Sequence, residues 1–362
     1  MSVDVYERLR EFLDSLPGGY PETESGVEIK ILKKLFAPED AEMAVCLTQF
    51  PEPVSAIAGR SGMEEPEAGA ILESMAKRGL IFRIRMGDDI FYMANMFVVG
   101  IYEFNVNSLD RELAEMMEEY LPFLTRSLGS IKTKQLRVVP VGAAIDAKPS
   151  VATYDRIREL VKNQEVAAVA PCICRKEKWL LDCGCDRPLE TCLLFGMGAE
   201  YYIENGIGRK ITIEEALRIL DLAEESALVL MSTNAVDILN ICCCCKCCCG
   251  SLMMLSAGGQ PAAQMQSSYQ ARIDPELCAA CATCLDRCQI EAINERDEFM
   301  EIDTVRCIGC GLCVTSCPEE AISLDERTDV GPPPANIVEM KMRMAQEWET
   351  RLTPGRGQPP LS

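Results

Sequence analysis

The sequence predicts an α+β chain of several domains, and three observations carry that prediction. Helix-period apolar spacing followed by a short hairpin fills residues 27–100, strands and helices alternate over 137–250, and a tandem cysteine pattern occupies 273–322. A chain of 362 residues, 48% of them hydrophobic, exceeds one typical core and has enough apolar residues for two or three. The expected boundaries are 1–130 for a helical domain and its connector, 131–255 for a small α/β domain rich in cysteine, 270–326 for the tandem module, and 327–362 for a Pro-rich spacer with a tail helix.

In the first region, Val27–Phe36, Ala41–Leu47, Val54–Gly59 and Glu64–Lys77 read as helices, the last with Ala68, Ile71, Leu72 and Met75 on one face. Leu80–Arg85 and Ile90–Ala94 read as a hairpin around Gly87-Asp88-Asp89. Helices followed by such a hairpin resemble a winged helix-turn-helix. Residues 101–130 continue as a helical connector. In the middle region Arg137–Val141, Val166–Ala170 and Ala227–Met231 read as strands. Tyr154–Val161 and about Leu189–Glu204 read as helices, and Thr212 with Glu215 forms a capping box for a helix through Ala223. Ser256–Gln270, rich in Gly, Ala, Gln and Ser, reads as a linker, and Gly331-Pro332-Pro333-Pro334 as a stiff spacer before a charged helix over about Asn336–Leu352.

Cysteine is the outlier of the composition. Of 21 cysteines only Cys46, flanked by Val45 and Leu47, stands alone, and it reads as a small apolar core residue. The other 20 fall into four dense groups, unlike the spread spacing of a disulfide scaffold. Met1–Leu16 lacks the apolar run of a secretory leader, and no apolar run is long enough to span a membrane, so a reducing cytoplasm is expected. Histidine is absent, which excludes zinc sites of the Cys2His2 kind. The net charge of −20 disfavours nucleic acid and anionic membranes and suits redox partner proteins with a basic docking patch.

The strongest signal is an internal repeat. Ile273-Asp274 through Ala292-Ile293 recurs 29 residues later as Ile302-Asp303 through Ala321-Ile322. Each copy carries C-x2-C-x2-C-x3-C: Cys278, Cys281, Cys284 and Cys288, then Cys307, Cys310, Cys313 and Cys317. This spacing resembles the bacterial two-cluster ferredoxin, a (βαβ)2 module in which the fourth cysteine of each run ligates the other cluster. The resemblance implies one [4Fe–4S] cluster on Cys278, Cys281, Cys284 and Cys317, and a second on Cys307, Cys310, Cys313 and Cys288. Pro318 follows Cys317 as that pattern requires, whereas Gln289 replaces the proline of the first copy. A pair of zinc knuckles is the bland alternative.

Twelve further thiols lie in the middle region, including seven in the eight positions Cys242–Cys249, broken only by Lys246. Such density calls for metal to offset thiolate repulsion. Pro171-Cys172-Ile173-Cys174-Arg175, Cys185-Asp186-Arg187-Pro188-Leu189-Glu190-Thr191-Cys192 with Phe195-Gly196, and Ile241–Gly250 together resemble a family of ferredoxin-fused iron–sulfur proteins of anaerobes. The resemblance covers about residues 165–325 and implies metal binding and electron transfer, with Cys183 and Cys243 outside the ligand set. The expected metal ligands are Cys172, Cys174, Cys185, Cys192, Cys242, Cys244, Cys245, Cys247, Cys248 and Cys249, building one or two additional Fe–S clusters. Adjacent cysteines point apart, so the run suits two neighbouring clusters or one non-cubane cluster. Structural zinc or metal storage are the alternatives.

Three function classes compete. The leading expectation is an electron carrier relaying single low-potential electrons to or from a partner oxidoreductase. The second is a reductase with a catalytic central site. Against it, Gly196-x-Gly198 and Gly206-x-Gly208 lack the context of a dinucleotide turn, and no other fingerprint is visible. The third is a redox-sensing transcription regulator. The candidate recognition helix opens with Glu64-Glu65-Pro66-Glu67, and residues 27–100 hold 8 Lys/Arg against 11 Asp/Glu, so protein docking or a homodimer through this domain is expected instead.

Overall fold

The computed structural model describes residues 4–145 and 155–352, and the chain divides into two compact units. The first joins residues 1–134 to the tail from Val338, and the second spans Gln135–Ile337.

The first unit opens with α1 (Val5–Ser15), whose N-terminal Tyr6 N–H donates to Asp4, then α2 (Val27–Leu35) and α3 (Pro38–Ala44). Next come β1 (Glu52–Pro53), α4 (Val54–Ser61), α5 (Glu65–Lys77) and the hairpin β2 (Phe82–Met86) and β3 (Asp89–Met93), which turns at Gly87 with φ +63. The sheet runs β1-β3-β2, antiparallel throughout. On α5 the residues Ala68, Leu72, Met75 and Ala76 are buried at helical spacing. After α6 (Tyr102–Phe104), α7 (Arg111–Gly129) begins where Asp110 accepts from the Leu113 N–H. Cys46 lies just past α3, half-buried, with its thiol directed at the Glu42 carbonyl.

The second unit is built on a six-stranded sheet. Its elements are β4 (Leu136–Val138), α8 (Gly142–Ile145), α9 (Ile157–Lys162), β5 (Ala167–Pro171), α10 (Ile173–Leu180), β6 (Glu190–Phe195), α11 (Gly196–Glu204), β7 (Arg209–Ile211), α12 (Ile213–Glu225), β8 (Val229–Thr233) and β9 (Asn240–Cys244). The strand order is β4-β8-β9-β6-β5-β7, and every pair is antiparallel, so the alternation of elements builds no parallel crossover sheet. There follow α13 (Gly250–Ala257), α14 (Pro261–Gln264), β10 (Tyr269–Ile273), α15 (Thr283–Arg287), β11 (Ile293–Glu295), β12 (Met300–Ile302) and β13 (Ile322–Glu326). Strands β10 and β13 pair, as do β11 and β12. The last helix, α16 (Ile337–Leu352), belongs to the first unit from Val338 on. There Met340, Met344 and Trp348 are buried and the Trp348 indole donates to the Asp14 carbonyl at 3.0 Å.

Two expectations are corrected. The helix expected over Leu189–Glu204 is a strand, β6, before it is a helix. Thr191, Leu193, Leu194 and Phe195 are all buried because β6 lies between β5 and β9, and an apolar run without helical spacing suits that place. Gly196, at φ +51, then turns the chain into α11. The linker expected over Ser256–Gln270 is a packed segment. Pro261, Ala262 and Met265 are buried, the Ala262 N–H donates to Val305 at 3.1 Å, and the Gln266 carbonyl accepts from Val138 at 2.9 Å. The start of the helix expected at Tyr154 lies outside the described residues, and the helix itself begins at Ile157.

One apolar core runs from Val138 on β4 through Phe195 and Met231 to Ile308 and Leu324. The cysteine-rich sheet and the tandem repeat therefore fold around shared residues, and the Val141 N–H donates to the Cys310 carbonyl at 3.0 Å.

Candidate metal centre

Each copy of the repeat opens with the same turn. Asp274 Oδ1 accepts from the Glu276 N–H and Asp303 Oδ1 from the Val305 N–H, while their carbonyls accept from Cys278 and Cys307. The loops then pass through left-handed backbone at equivalent positions: Ala280 and Ala282 in the first copy, Gly309 and Gly311 in the second, with Glu291 and Glu320 after the fourth cysteines. This curls the chain so that backbone N–H groups face sulfur. Ala292 donates to Cys288 at 3.1 Å, Ala321 to Cys317 at 3.3 Å, Met300 to Cys278 and Ala271 to Cys307, both at 3.4 Å. Such donors stabilise thiolate and cluster charge.

Thiols of the two copies lie close enough to raise one another. Burial pushes the Cys284 thiol up to about 11, and Cys278, Cys281 and Cys317 add to it. Burial pushes Cys310 up to about 12, with contributions from Cys288 and Cys307. Cys313 is raised further, first by burial and then by Cys310, Cys307 and Cys288, with Cys284 last. The fourth cysteine of each run thus acts on the thiols of the other.

The middle cysteines separate into two groups around one buried arginine. The outer group is Cys185, Cys245, Cys247 and Cys248, whose Sγ atoms all lie within 4.8 Å of one another. Against the cost of burial, the Arg187 N–H and the thiols of Cys247, Cys248 and Cys245 bring Cys185 down to about 7. Gly184 is needed here, because a Cβ on it would sit 1.7 Å from the Trp179 ring, and the Trp179 indole donates to the Cys185 carbonyl at 2.9 Å.

The inner group follows from the pleat of β9. Cys242 and Cys244 share one face, and Cys192 on β6 stands directly opposite Cys242. Cys172 caps α10 and Cys249 caps α13, placing both at helix N-termini. Hydrogen bonds from Cys174 and Cys244, and from the Leu252 and Ser251 N–H groups, hold Cys249 well below the ordinary thiol range. The Cys174 thiol together with the Arg175 charge brings Cys172 to about 7. Cys243, on the opposite face of β9, is buried in the apolar core and its thiol is raised by that burial; Cys183 is exposed.

Arg175 is fully buried, reaches the outer group at Cys245 and lies in the field of Cys172 and Cys244 of the inner group. Its Nη1 donates to the Cys243 carbonyl at 3.0 Å and approaches Cys245 Sγ at 3.7 Å, and Nη2 donates to Thr191. Thiolates at Cys172, Cys245 and Cys244 favour its charge against desolvation. Among the described residues its Nε has no hydrogen-bond partner, a buried donor left for a bound acceptor. The all-thiol donor set of the inner group, Cys172, Cys174, Cys192, Cys242, Cys244 and Cys249, fits iron–sulfur ligation.

Sequence reasoning missed the roles of Arg175 and Gln289. The signal for Arg175 was its place directly after Cys-x-Cys. Gln289 is buried, and its Oε1 accepts from the Lys246 N–H at 3.1 Å, so the residue after Cys288 grips the loop between Cys245 and Cys247. A proline there has no side-chain acceptor to offer.

Residues 300–323 match the family described as the 4Fe-4S binding domain. Comparisons with curated proteins and with solved structures gave no match. The matched segment and the cysteine clusters support iron–sulfur cluster binding by this chain. Among the described residues, no helix is long and apolar enough to cross a membrane.

Proposed function

We propose that this chain is an electron-transfer protein relaying single low-potential electrons to or from a partner oxidoreductase. In this reading Cys278, Cys281, Cys284 and Cys317 hold one [4Fe–4S] cluster, and Cys307, Cys310, Cys313 and Cys288 hold the other. The supporting observation is the 4Fe-4S match over residues 300–323 together with the repeated C-x2-C-x2-C-x3-C spacing, and Cys317 near Cys284 and Cys288 near Cys310 agree with it. When bound, such clusters supply one-electron redox chemistry; the chain places the sulfurs and points N–H groups at them. Cys172, Cys174, Cys192, Cys242, Cys244 and Cys249 hold a further cluster, with Arg175 offsetting its negative charge. The Lys246–Gln289 hydrogen bond ties the run carrying Cys244 and Cys249 to Cys288 and so extends the relay.

The acidic surface suits a partner with a basic docking patch. The first unit, with helices ahead of a hairpin closed by β1, is read as winged-helix-like. The carboxylates Glu64, Glu65 and Glu67 at the start of α5 suit protein docking or self-association rather than phosphate contact.

Iron and sulfide analysis with EPR on the anaerobically reconstituted full chain tests this. About twelve irons per chain are expected, with Cys288→Ser and Cys317→Ser each removing the signal of a different cubane. A preparation holding about eight irons would remove the inner cluster from the proposal. A colourless protein that takes up only zinc would end it.

A further inference from the structure

We propose that Cys185, Cys245, Cys247 and Cys248 form a separate site for a single divalent metal ion bound by four thiolates. The argument rests on sulfur spacing and does not depend on the relay reading. A metal about 2.3 Å from four tetrahedral sulfurs sets those sulfurs about 3.8 Å apart. A cubane, in which each of four irons takes its own thiolate, spreads them to roughly 6 Å. Here Cys248 Sγ lies 3.6 Å from Cys185 Sγ and 3.8 Å from Cys247 Sγ, and all four sulfurs fall within 4.8 Å of one another. Among the described residues this is the group of three or more cysteines, aspartates or glutamates whose ligand atoms converge so closely, and neither cysteine set of the tandem repeat does so.

The surroundings fit a small, doubly negative centre. Arg187 Nη1 donates to Cys247 Sγ at 3.3 Å and Arg175 Nη1 reaches Cys245 Sγ at 3.7 Å, so two guanidinium groups offset four thiolates around a dication. The ligands come from two loops, one between α10 and β6 and one between β9 and α13. An ion there clips the loops together and fixes Lys246, whose N–H donates to Gln289. Tetrahedral tetrathiolate coordination takes zinc and also ferrous iron.

Metal and sulfide analysis of the anaerobically prepared full chain, wild type against Cys185→Ser/Cys247→Ser, tests the site. The double variant should lose about one zinc, or about one iron without sulfide, while the EPR of the remaining clusters persists. Loss of about four irons with their sulfide would overturn the proposal, as would no change in metal content. X-ray absorption on the wild type keeps the test independent of the variant's folding. Zinc, or a sulfide-free iron, surrounded by four sulfurs at about 2.3 Å is expected, and zinc with oxygen neighbours would overturn the assignment. Failure of the tandem cysteines to hold iron would end the relay reading and leave this site standing.

Discussion

Ala280 and Ala282 in the first cysteine loop adopt the same left-handed conformation as Gly309 and Gly311 in the second, yet only the second loop has glycine there. The difference lies in what each loop faces. A Cβ on Gly309 would lie 2.0 Å from the Tyr269 carbonyl oxygen, and one on Gly311 would lie 2.7 Å from the Ala144 Cβ. The second loop is wedged against β10 and α8 and is buried through Gly309 and Gly311, whereas Ala280 and Ala282 are half-buried. Both copies meet the same backbone demand, and the second also meets a packing demand. The fourth cysteines differ in a complementary way, since Cys317 is followed by Pro318 and Cys288 by the buried Gln289 that accepts from Lys246. One copy is fitted to the sheet by its loop, and the other is joined to the cysteine run by its tail.

Exchanging residues between the copies breaks or sharpens this comparison. The largest effect is expected for Gly309→Ala, which adds a clash with backbone to an unfavourable φ of +65. It should cost about 3 kcal/mol or more, read as a lowered midpoint in anaerobic thermal unfolding together with loss of iron. An unchanged midpoint would show that the wedge is not there. Next comes Gln289→Pro, which copies the second tail into the first and strands the Lys246 N–H; about 2 kcal/mol of destabilisation is expected. Gln289→Glu keeps an acceptor and should recover most of that loss. The smallest effect is expected for Ala282→Gly. Relief of the left-handed strain should outweigh the added chain entropy, for a gain of under about 1 kcal/mol in the same unfolding measurement. A loss of that size would mean that the alanine methyl packs usefully.

The repeat was legible because its period is carried by cysteine itself, and the matching turns at Asp274 and Asp303 follow from the same offset. The helix Glu65–Lys77 and the hairpin were legible because their apolar residues keep a clear period, as Ala68, Leu72 and Met75 do, whereas α1 was not foreseen and α3 begins and ends three residues earlier than expected. The interior strands were not. Residues 192–199 form an unbroken apolar stretch, and burial of Leu193, Leu194 and Phe195 in turn erases the alternation that would mark β6 as a strand. Strand β9 was hidden differently, since a run of identical cysteines has no polarity contrast to read. Its pleat nevertheless sorts the run, sending Cys242 and Cys244 to one side and Cys243 into the core, while the turn beyond it gives Cys245, Cys247 and Cys248 to another group. That division needs the fold, because Cys185, Cys192 and Cys249 reach their neighbours only across strands and loops far apart in sequence.

Helix α16 carries a consequence for biosynthesis. The first unit is interrupted in the chain by the whole metal-binding unit, and its buried Met340, Met344 and Trp348 are translated after that unit. Growing from the N-terminus, the nascent protein exposes every cysteine of the second unit before the first unit can be completed. Metal loading can therefore precede closure of the helical unit during synthesis, and truncation before Val338 would leave the cysteines intact while removing the residues that finish the other core.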